Sequence, residues 1–231
     1  MAWYWILIIP VMIFSLIAQI RVSSTFRKYN QVPARNGLTG TDAARTILDM
    51  NNLQNVRIEG VAGELSDHYD PRSKVLRLSD STRNSPSIAA IGVAAHEAGH
   101  AIQDSVNYTP NKIRAALVPV ANIGSTAGPY LAIFGIILSY TAQFGLTLAY
   151  IGLGLYFFAF LFYLITLPVE FNASNRAIKI LNSSGMLAQD EIKGAKKVLS
   201  AAAMTYIASA ITALLSLLRL LALVSGSRRR N

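Results

Sequence analysis

The sequence predicts an α-helical membrane protein with about four transmembrane helices and a small α+β part outside the bilayer. Three observations predict it. Charged residues are 14% of the 231-residue chain and hydrophobic residues 52%, against about 25% charged in an ordinary soluble domain. Residues 115–169 contain no Asp, Glu, Lys, Arg or His, enough chain for two spans of about 25 residues and a turn. The polar stretches 21–114 and 170–197 total about 120 residues, the size of a small domain.

Taken in order, residues 1–20 are uncharged until Arg21, and about 20 apolar residues cross a bilayer core as helix. They lack the positive n-region and small-residue cleavage site of a secretory signal, which predicts a retained transmembrane anchor. Residues 21–114 are expected to form the larger part outside the bilayer, and a helix bearing HExxH within it would make it the catalytic region. A helical period over Thr41–Met50 has Thr41 as its N-cap candidate, and Val56-Arg57-Ile58 reads as a short strand. Leu65–Tyr69 and Lys74–Ser79 flank Asp70-Pro71-Arg72-Ser73, where proline at the second turn position predicts a hairpin. Ser85-Pro86, a cap followed by proline, predicts the opening of the next helix, which continues as SIAAIGVAAHEAGHAIQ (87–103).

Residues 115–169 are expected to form a transmembrane hairpin turning near 139–143. Such a hairpin returns the chain to the membrane face it left, so Arg114 and Glu170 are expected near the same surface. A helical segment is expected over 170–197, starting at Glu170. A fourth transmembrane or interfacial helix follows over 198–224, where Arg219 can snorkel, and a basic tail ends the chain over 225–231. Basic residues concentrate in the two polar stretches, which predicts a multi-pass protein of the inner (plasma) membrane with its catalytic part cytoplasmic. Arg228-Arg229-Arg230 runs against that rule.

Composition also excludes function classes. Abundant apolar side chains exclude intrinsic disorder. With Cys 0 there is no disulfide framework and no thiolate metal site. The formal charge of +9 comes from Lys and Arg scattered between apolar blocks, without the interleaved aromatics of a stacking platform, so no nucleic-acid partner is expected.

The chemistry concentrates in His96-Glu97-Ala98-Gly99-His100, an HExxH match that takes two of the three histidines. Residues four apart share one face of a helix, so both imidazoles can bind one metal. Glu97 is rotated by about 100° from His96, which can bring its carboxylate beside a metal-activated water as general base. Gly99 in mid-helix costs up to about 1 kcal/mol, which close approach of another backbone would justify. A catalytic zinc requires a third protein ligand and an open position. His68, Asp67, Asp70, Asp104 and Glu170 are the candidates. Asp104 lies one turn beyond His100 and cannot readily close a site around both histidines. Glu170, brought back by the hairpin, is the expected ligand, because a carboxylate beside the membrane is costly without a partner. His68 is the runner-up ligand or an oxyanion hydrogen-bond donor. Asp67 and Asp70 read most simply as turn formers, and Asn172 and Asn175 as residues able to orient the ligands.

GLTGTDAARTILD (37–49), DHYDPRSKVLRLS (67–79), SIAAIGVAAHEAGHAIQ (87–103) and LPVEFNASNRAIKIL (167–181) together resemble the bacterial YugP-like neutral zinc metallopeptidases. The likeness covers nearly the whole chain and implies an integral-membrane zinc peptidase. The layout is also similar to the HtpX-like and CAAX-prenyl-protease gluzincins, where two membrane spans separate HExxH from a glutamate ligand in an EFxAD-type motif. That similarity supports Glu170, while Ser174 stands where the group has aspartate.

The resulting expectation is a membrane-anchored zinc-dependent endopeptidase with a zincin-like catalytic part. Its zinc (Zn2+) is held by His96, His100 and Glu170, Glu97 and His68 are its catalytic residues, and its partners are a membrane-associated polypeptide substrate and the lipid bilayer. The strand at Leu65–Tyr69 is expected to pair with an extended substrate. Two rival readings are an intramembrane metalloprotease and a non-catalytic membrane metal sensor or scaffold.

Overall fold

The computed structural model describes residues 2–228; Arg229 and Arg230 of the basic tail lie outside the described residues. In chain order the elements are α1 (Ala2–Asn30), α2 (Gly40–Met50), β1 (Arg57–Val61), β2 (His68–Asp70), β3 (Val75–Ser79), α3 (Asp80–Arg83), α4 (Ile88–Ser105), α5 (Thr109–Leu138), α6 (Gly145–Ser183) and α7 (Gln189–Arg228). The protein is therefore mostly helical with one small sheet. Among the described residues, α1 from Ile8 onward, α5, α6 and α7 up to Ser227 are long and apolar enough to cross a membrane.

The chain divides into two compact units. The first comprises the described parts of 1–16, 112–167 and 206–231, drawn from the four long apolar helices and the 139–144 turn. Lipid tails supply no hydrophobic drive between helices, so small residues that let backbones approach are favoured. A Cβ added at Gly124 would lie 2.0 Å from the Leu155 carbonyl oxygen, and one at Gly135 2.3 Å from the Ala149 nitrogen, so α5 and α6 meet backbone to backbone. Pro119, Pro129 and Pro168 all lie inside helices.

The second unit, Ile17–Asn111 with Pro168–Thr205, holds the sheet and most of the charged residues. In α2 one face carries Ala43, Ala44, Ile47 and Leu48, all fully buried, while Asp42 and Arg45 stay on the wet side. The helix opens at Thr39 rather than Thr41. The Thr39 hydroxyl accepts from the Asp42 N–H, and the Asp42 carboxylate accepts from the Thr39 N–H in return. This reciprocal pair satisfies two free donors at once, which Thr41 does not do. Its hydroxyl donates instead to the Arg83 carbonyl.

The sheet has order β1-β3-β2, with β1 parallel and β2 antiparallel to β3. The Asp70-Pro71 turn makes the expected hairpin. Asp70 accepts from the Arg72 N–H at 2.9 Å and the Ser73 hydroxyl at 2.7 Å, and these bonds hold its carboxyl below the usual range. The strand before the turn is shorter than expected. It begins at His68, because Leu65 takes a left-handed backbone with φ 53°, so the expected substrate-pairing strand over Leu65–Tyr69 is reduced to its last two residues.

The central element is α4, buried on nearly all sides among Leu48, Leu76, Leu181 and Leu199. Its run of Ala and Gly makes this possible, since short side chains let neighbours close in. It starts at Ile88 with Ser87 as N-cap, whose hydroxyl accepts from the Ala90 N–H at 3.1 Å. Ser85-Pro86 lies outside the helix because this segment is extended. Ser87 bridges Pro33, and the Pro86 carbonyl accepts from the Ala34 N–H. Glu170 does not begin a helix. It lies well inside α6, which continues through Pro168 to Ser183.

Candidate metal centre

Two helices of the second unit build the site. α4 brings His96 and His100 to one face, and α6 presents Glu170 to them. The Glu170 Oε2 atom is 3.2 Å from His96 Nε2 and 3.4 Å from His100 Nε2. The two imidazole rings meet edge to face, with centroids 4.7 Å apart and planes at 84°. Glu170 is 5% exposed and His100 8%. These three residues offer ligand atoms that all lie within 4.8 Å of one another. A tetrahedral ion with bonds of about 2.1 Å separates neighbouring ligand atoms by about 3.4 Å, so two imidazole nitrogens and one carboxylate oxygen at these spacings fit zinc's donor set and leave one position for water or substrate.

The approach of the two helices depends on Gly99. A Cβ there would lie 2.8 Å from the Ala173 carbonyl oxygen, so any side chain at this position would press α6 away from α4. The glycine cost noted from the sequence corresponds to a real backbone contact, one turn from Glu170.

A chain of hydrogen bonds fixes the ring orientation of His100. Arg176 Nε, which can only donate, bonds Asn172 Oδ1 at 2.8 Å. Asn172 Oδ1 must then accept from Gln103 Nε2 at 3.0 Å, and Gln103 Nε2 also donates to the Val169 carbonyl at 2.8 Å. This leaves Gln103 Oε1 as the acceptor for His100 Nδ1–H at 3.0 Å. With Nδ1 engaged as the donor, Nε2, the atom facing Glu170, is the ring nitrogen left available to a metal, as in a ligating imidazole. Ser174 Oγ lies 3.1 Å from His96 Nδ1. Serine can meet that nitrogen but brings no charge, so an uncharged contact stands where the EFxAD-type pattern has a carboxylate.

Glu97 is 8% exposed and forms no hydrogen bond or ion pair among the described residues. Burial pushes its carboxyl up to about 7; Glu170 and Asp67 push the same way, and His96 and His68 oppose them. A carboxyl with no internal partner and a midpoint near neutrality is suited to taking and giving a proton.

His68 stands apart from the three-residue group. It is exposed at the start of β2, and its Nδ1–H donates to the Ser66 carbonyl at 2.9 Å. Asp67 accepts from the Ser79 N–H at 2.8 Å and from the Ser79 hydroxyl, holding the end of β3. Asp104 accepts from the Tyr69 hydroxyl at 2.8 Å and pairs with Lys74 at 2.5 Å, tying the end of α4 to the hairpin. Asn172 takes part in the chain to His100, whereas Asn175 is exposed. Gln103 escaped sequence reasoning altogether. The available signal was a fully buried-type position holding an amide, three residues after His100 on the same helical face.

A protein of Bacillus subtilis (strain 168) described as "Putative membrane protease YugP" is 45% identical to the chain over 216 residues, which cover 93% of each. No solved structure matches. The model of the family described as "Putative neutral zinc metallopeptidase" matches residues 4–225. With nearly the full length matched on both counts, the chain belongs to this zinc metallopeptidase family.

Proposed function

We propose that the protein is a membrane-anchored, zinc-dependent endopeptidase of the gluzincin kind, acting on membrane or membrane-adjacent polypeptides from the cytoplasmic side of the plasma membrane. The observation that carries the reading is the convergence of Glu170 on the His96 and His100 Nε2 atoms, with the uncommitted Glu97 carboxyl on the same helix. His96, His100 and Glu170 would hold the metal. Zinc bound there supplies Lewis acidity, which makes water a better nucleophile and a peptide carbonyl a better electrophile.

The protein's own residues do the rest. Gln103 and Ser174 hold the imidazoles with their Nδ1 atoms turned away from the site. Glu97 takes a proton from the attacking water as the C–O bond forms, then gives it to the amine nitrogen as the C–N bond breaks. His68 favours the charged form of Glu97, and with its Nδ1–H held by Ser66 it is the Nε2–H of the doubly protonated ring that serves as a hydrogen-bond donor to the reacting carbonyl oxygen. The catalytic part adopts a zincin-like arrangement in which β2 offers an exposed edge to an extended substrate. α4 is enclosed by α2, the sheet and α6, which favours this reading over cleavage within the bilayer by a membrane-embedded histidine helix.

The test is metal analysis of the detergent-purified protein with a casein-type digestion assay, comparing the wild type with Glu97→Gln. The expected result is one zinc per chain in both and a loss of hydrolysis by about 10²–10⁴-fold in the variant. Full hydrolysis by Glu97→Gln would refute the assignment, and loss of zinc would make Glu97 a ligand instead.

A further inference from the structure

The metal centre leaves unused a groove of about 530 Å³ between the C-terminal part of α1 and the first half of α7, lined entirely by residues of the second unit. One face of α1 contributes Arg21, Thr25 and Lys28, spaced four and three apart. One face of α7 contributes Lys193, Lys196 and Lys197, then Ser200 and Met204. Five cationic side chains thus face one cavity, and no Asp or Glu lines it.

The acidic residues at the start of α7 are engaged elsewhere. Asp190 pairs with Arg35 at 2.6 Å, and Glu191 accepts from the backbone N–H groups of Arg35 and Ala188. None of the five cations has a carboxylate partner among the described residues. The groove is also structurally supported. A Cβ at Gly194 would lie 2.8 Å from the Tyr29 ring, so glycine is what allows that ring to settle against α7 and form the wall.

Position along the helices narrows the ligand. Arg21 is the first charge after the uncharged start of α1, and Lys197 is the last before the uncharged run 198–218 of α7. The cations therefore stand where both apolar helices emerge into polar sequence, the depth at which lipid phosphates lie, and Ala201 and Met204 line the side leading into the apolar run. A soluble anion would need only the charges. A phospholipid uses the charges and the adjoining apolar helix surfaces together.

We propose that this groove binds the headgroup of an anionic glycerophospholipid, with its phosphodiester among Arg21, Lys28, Lys193, Lys196 and Lys197 and its acyl chains leaving past Ala201 and Met204. The proposal rests on the membrane placement given above and not on the catalytic reading. Basic pockets between membrane helices are a recurrent form of lipid recognition, and each basic residue near the surface adds affinity. Five positive charges also favour a lipid with two phosphodiesters over one with a single phosphodiester.

The experiment measures binding of fluorescent phosphatidylglycerol, diphosphatidylglycerol and phosphatidylcholine to the full chain in neutral detergent. The proteins compared are the wild type, Lys193→Gln/Lys196→Gln/Lys197→Gln, Thr25→Glu, and a control, Arg27→Gln/Lys112→Gln/Lys179→Gln, which removes equal charge outside the groove. The expected result is preference for both anionic lipids over phosphatidylcholine, strongest for diphosphatidylglycerol. The groove triple variant should bind phosphatidylglycerol weaker by about fivefold per lysine removed. Thr25→Glu, which places a negative charge in the groove without removing a lysine, should also lose binding, and the control should lose little. Glu97→Gln should bind lipid as the wild type does, which separates this result from the fate of the catalytic proposal. Wild-type binding by both groove variants, or equal loss in the control, would overturn the site. Displacement by free glycerol phosphate as effective as displacement by lipid would overturn the lipid assignment in favour of a soluble anion.

Discussion

Gly99 in α4 lies directly against the backbone of Ala173 in α6, close enough that an added methyl group would stand 2.8 Å from the Ala173 carbonyl oxygen. Since Glu170 is one turn from Ala173 on the same helix, this contact sets the distance between the carboxylate and the imidazoles. Gly99→Ala is expected to lower zinc affinity and to destabilise the fold by about 1–3 kcal/mol, as overpacking does. Gly92→Ala, whose Cβ would meet the Ala195 methyl at 3.3 Å and the Ala195 Cα at 3.5 Å, away from α6, is expected to leave zinc bound. Metal analysis and thermal unfolding of the two variants check the contrast.

Removing the carboxylate itself tests the ligand set. Glu170→Ala is expected to abolish stoichiometric zinc while the fold persists, because two imidazoles alone leave a zinc site one ligand short. Glu170→Gln retains size and oxygen but not charge, and should retain zinc more weakly than the wild type. Equilibrium dialysis against a zinc buffer reads both. Unchanged occupancy in Glu170→Ala would transfer the third position to another residue.

Gln103 acts on the metal only through His100. Gln103→Leu is expected to lower zinc affinity by about 10–100-fold while leaving Glu97 in place. Ser174→Ala should have a smaller effect of the same sign, because its partner nitrogen is nearer solvent. Ser174→Asp should raise affinity, because a carboxylate makes the imidazole a stronger base. Competition titrations with a chromophoric chelator rank the three variants, and an unchanged affinity in Gln103→Leu would disprove the proton assignment along the hydrogen-bond chain.

The buried Glu97 carboxyl gives the metal-free protein a distinct pH response. Its midpoint is raised from 4.5 to about 7, so the folded state holds the proton over a range in which the unfolded chain has released it. Stability is therefore unaffected below about 4.5, falls as pH rises from 4.5 to 7, and carries the full penalty of about 3 kcal/mol above 7. Glu97→Gln mimics the neutral acid. After metal removal it should unfold at higher temperature than the wild type at pH 8, with the difference vanishing near pH 4.5. A difference independent of pH would rule out the buried charge as its cause.

The helices were legible in the sequence wherever one physical signal dominated. A run of 55 residues without charge has few alternatives to long apolar helices, and the Asp70-Pro71 turn carries its own local chemistry. Start points were less legible because they depend on competition between neighbouring candidates. Thr41 and Ser85 have capping side chains, yet Thr39 finds a reciprocal partner in Asp42, and the Pro33–Ser87 bridge draws Ser85-Pro86 into extended backbone. For the candidate site, the HExxH spacing and the lone carboxylate after the apolar run pointed to residues that the fold brings together. Gln103 was harder to read because its spacing from His100 is only a weak local signal, and the partners that fix its amide lie 66 and 69 residues away.

Because α6 continues unbroken from Gly145 to Ser183, the angular setting of Glu170 is indexed like a tooth on a gear. One residue inserted between Glu170 and Ala173 would turn the carboxylate by about 100° relative to the Ala173 contact with Gly99 and shift it by about 1.5 Å along the axis, carrying it off the side that faces α4. Insertions and deletions between these two residues must therefore come in near-whole turns to keep the tooth engaged, whatever side chains the far side of the helix carries.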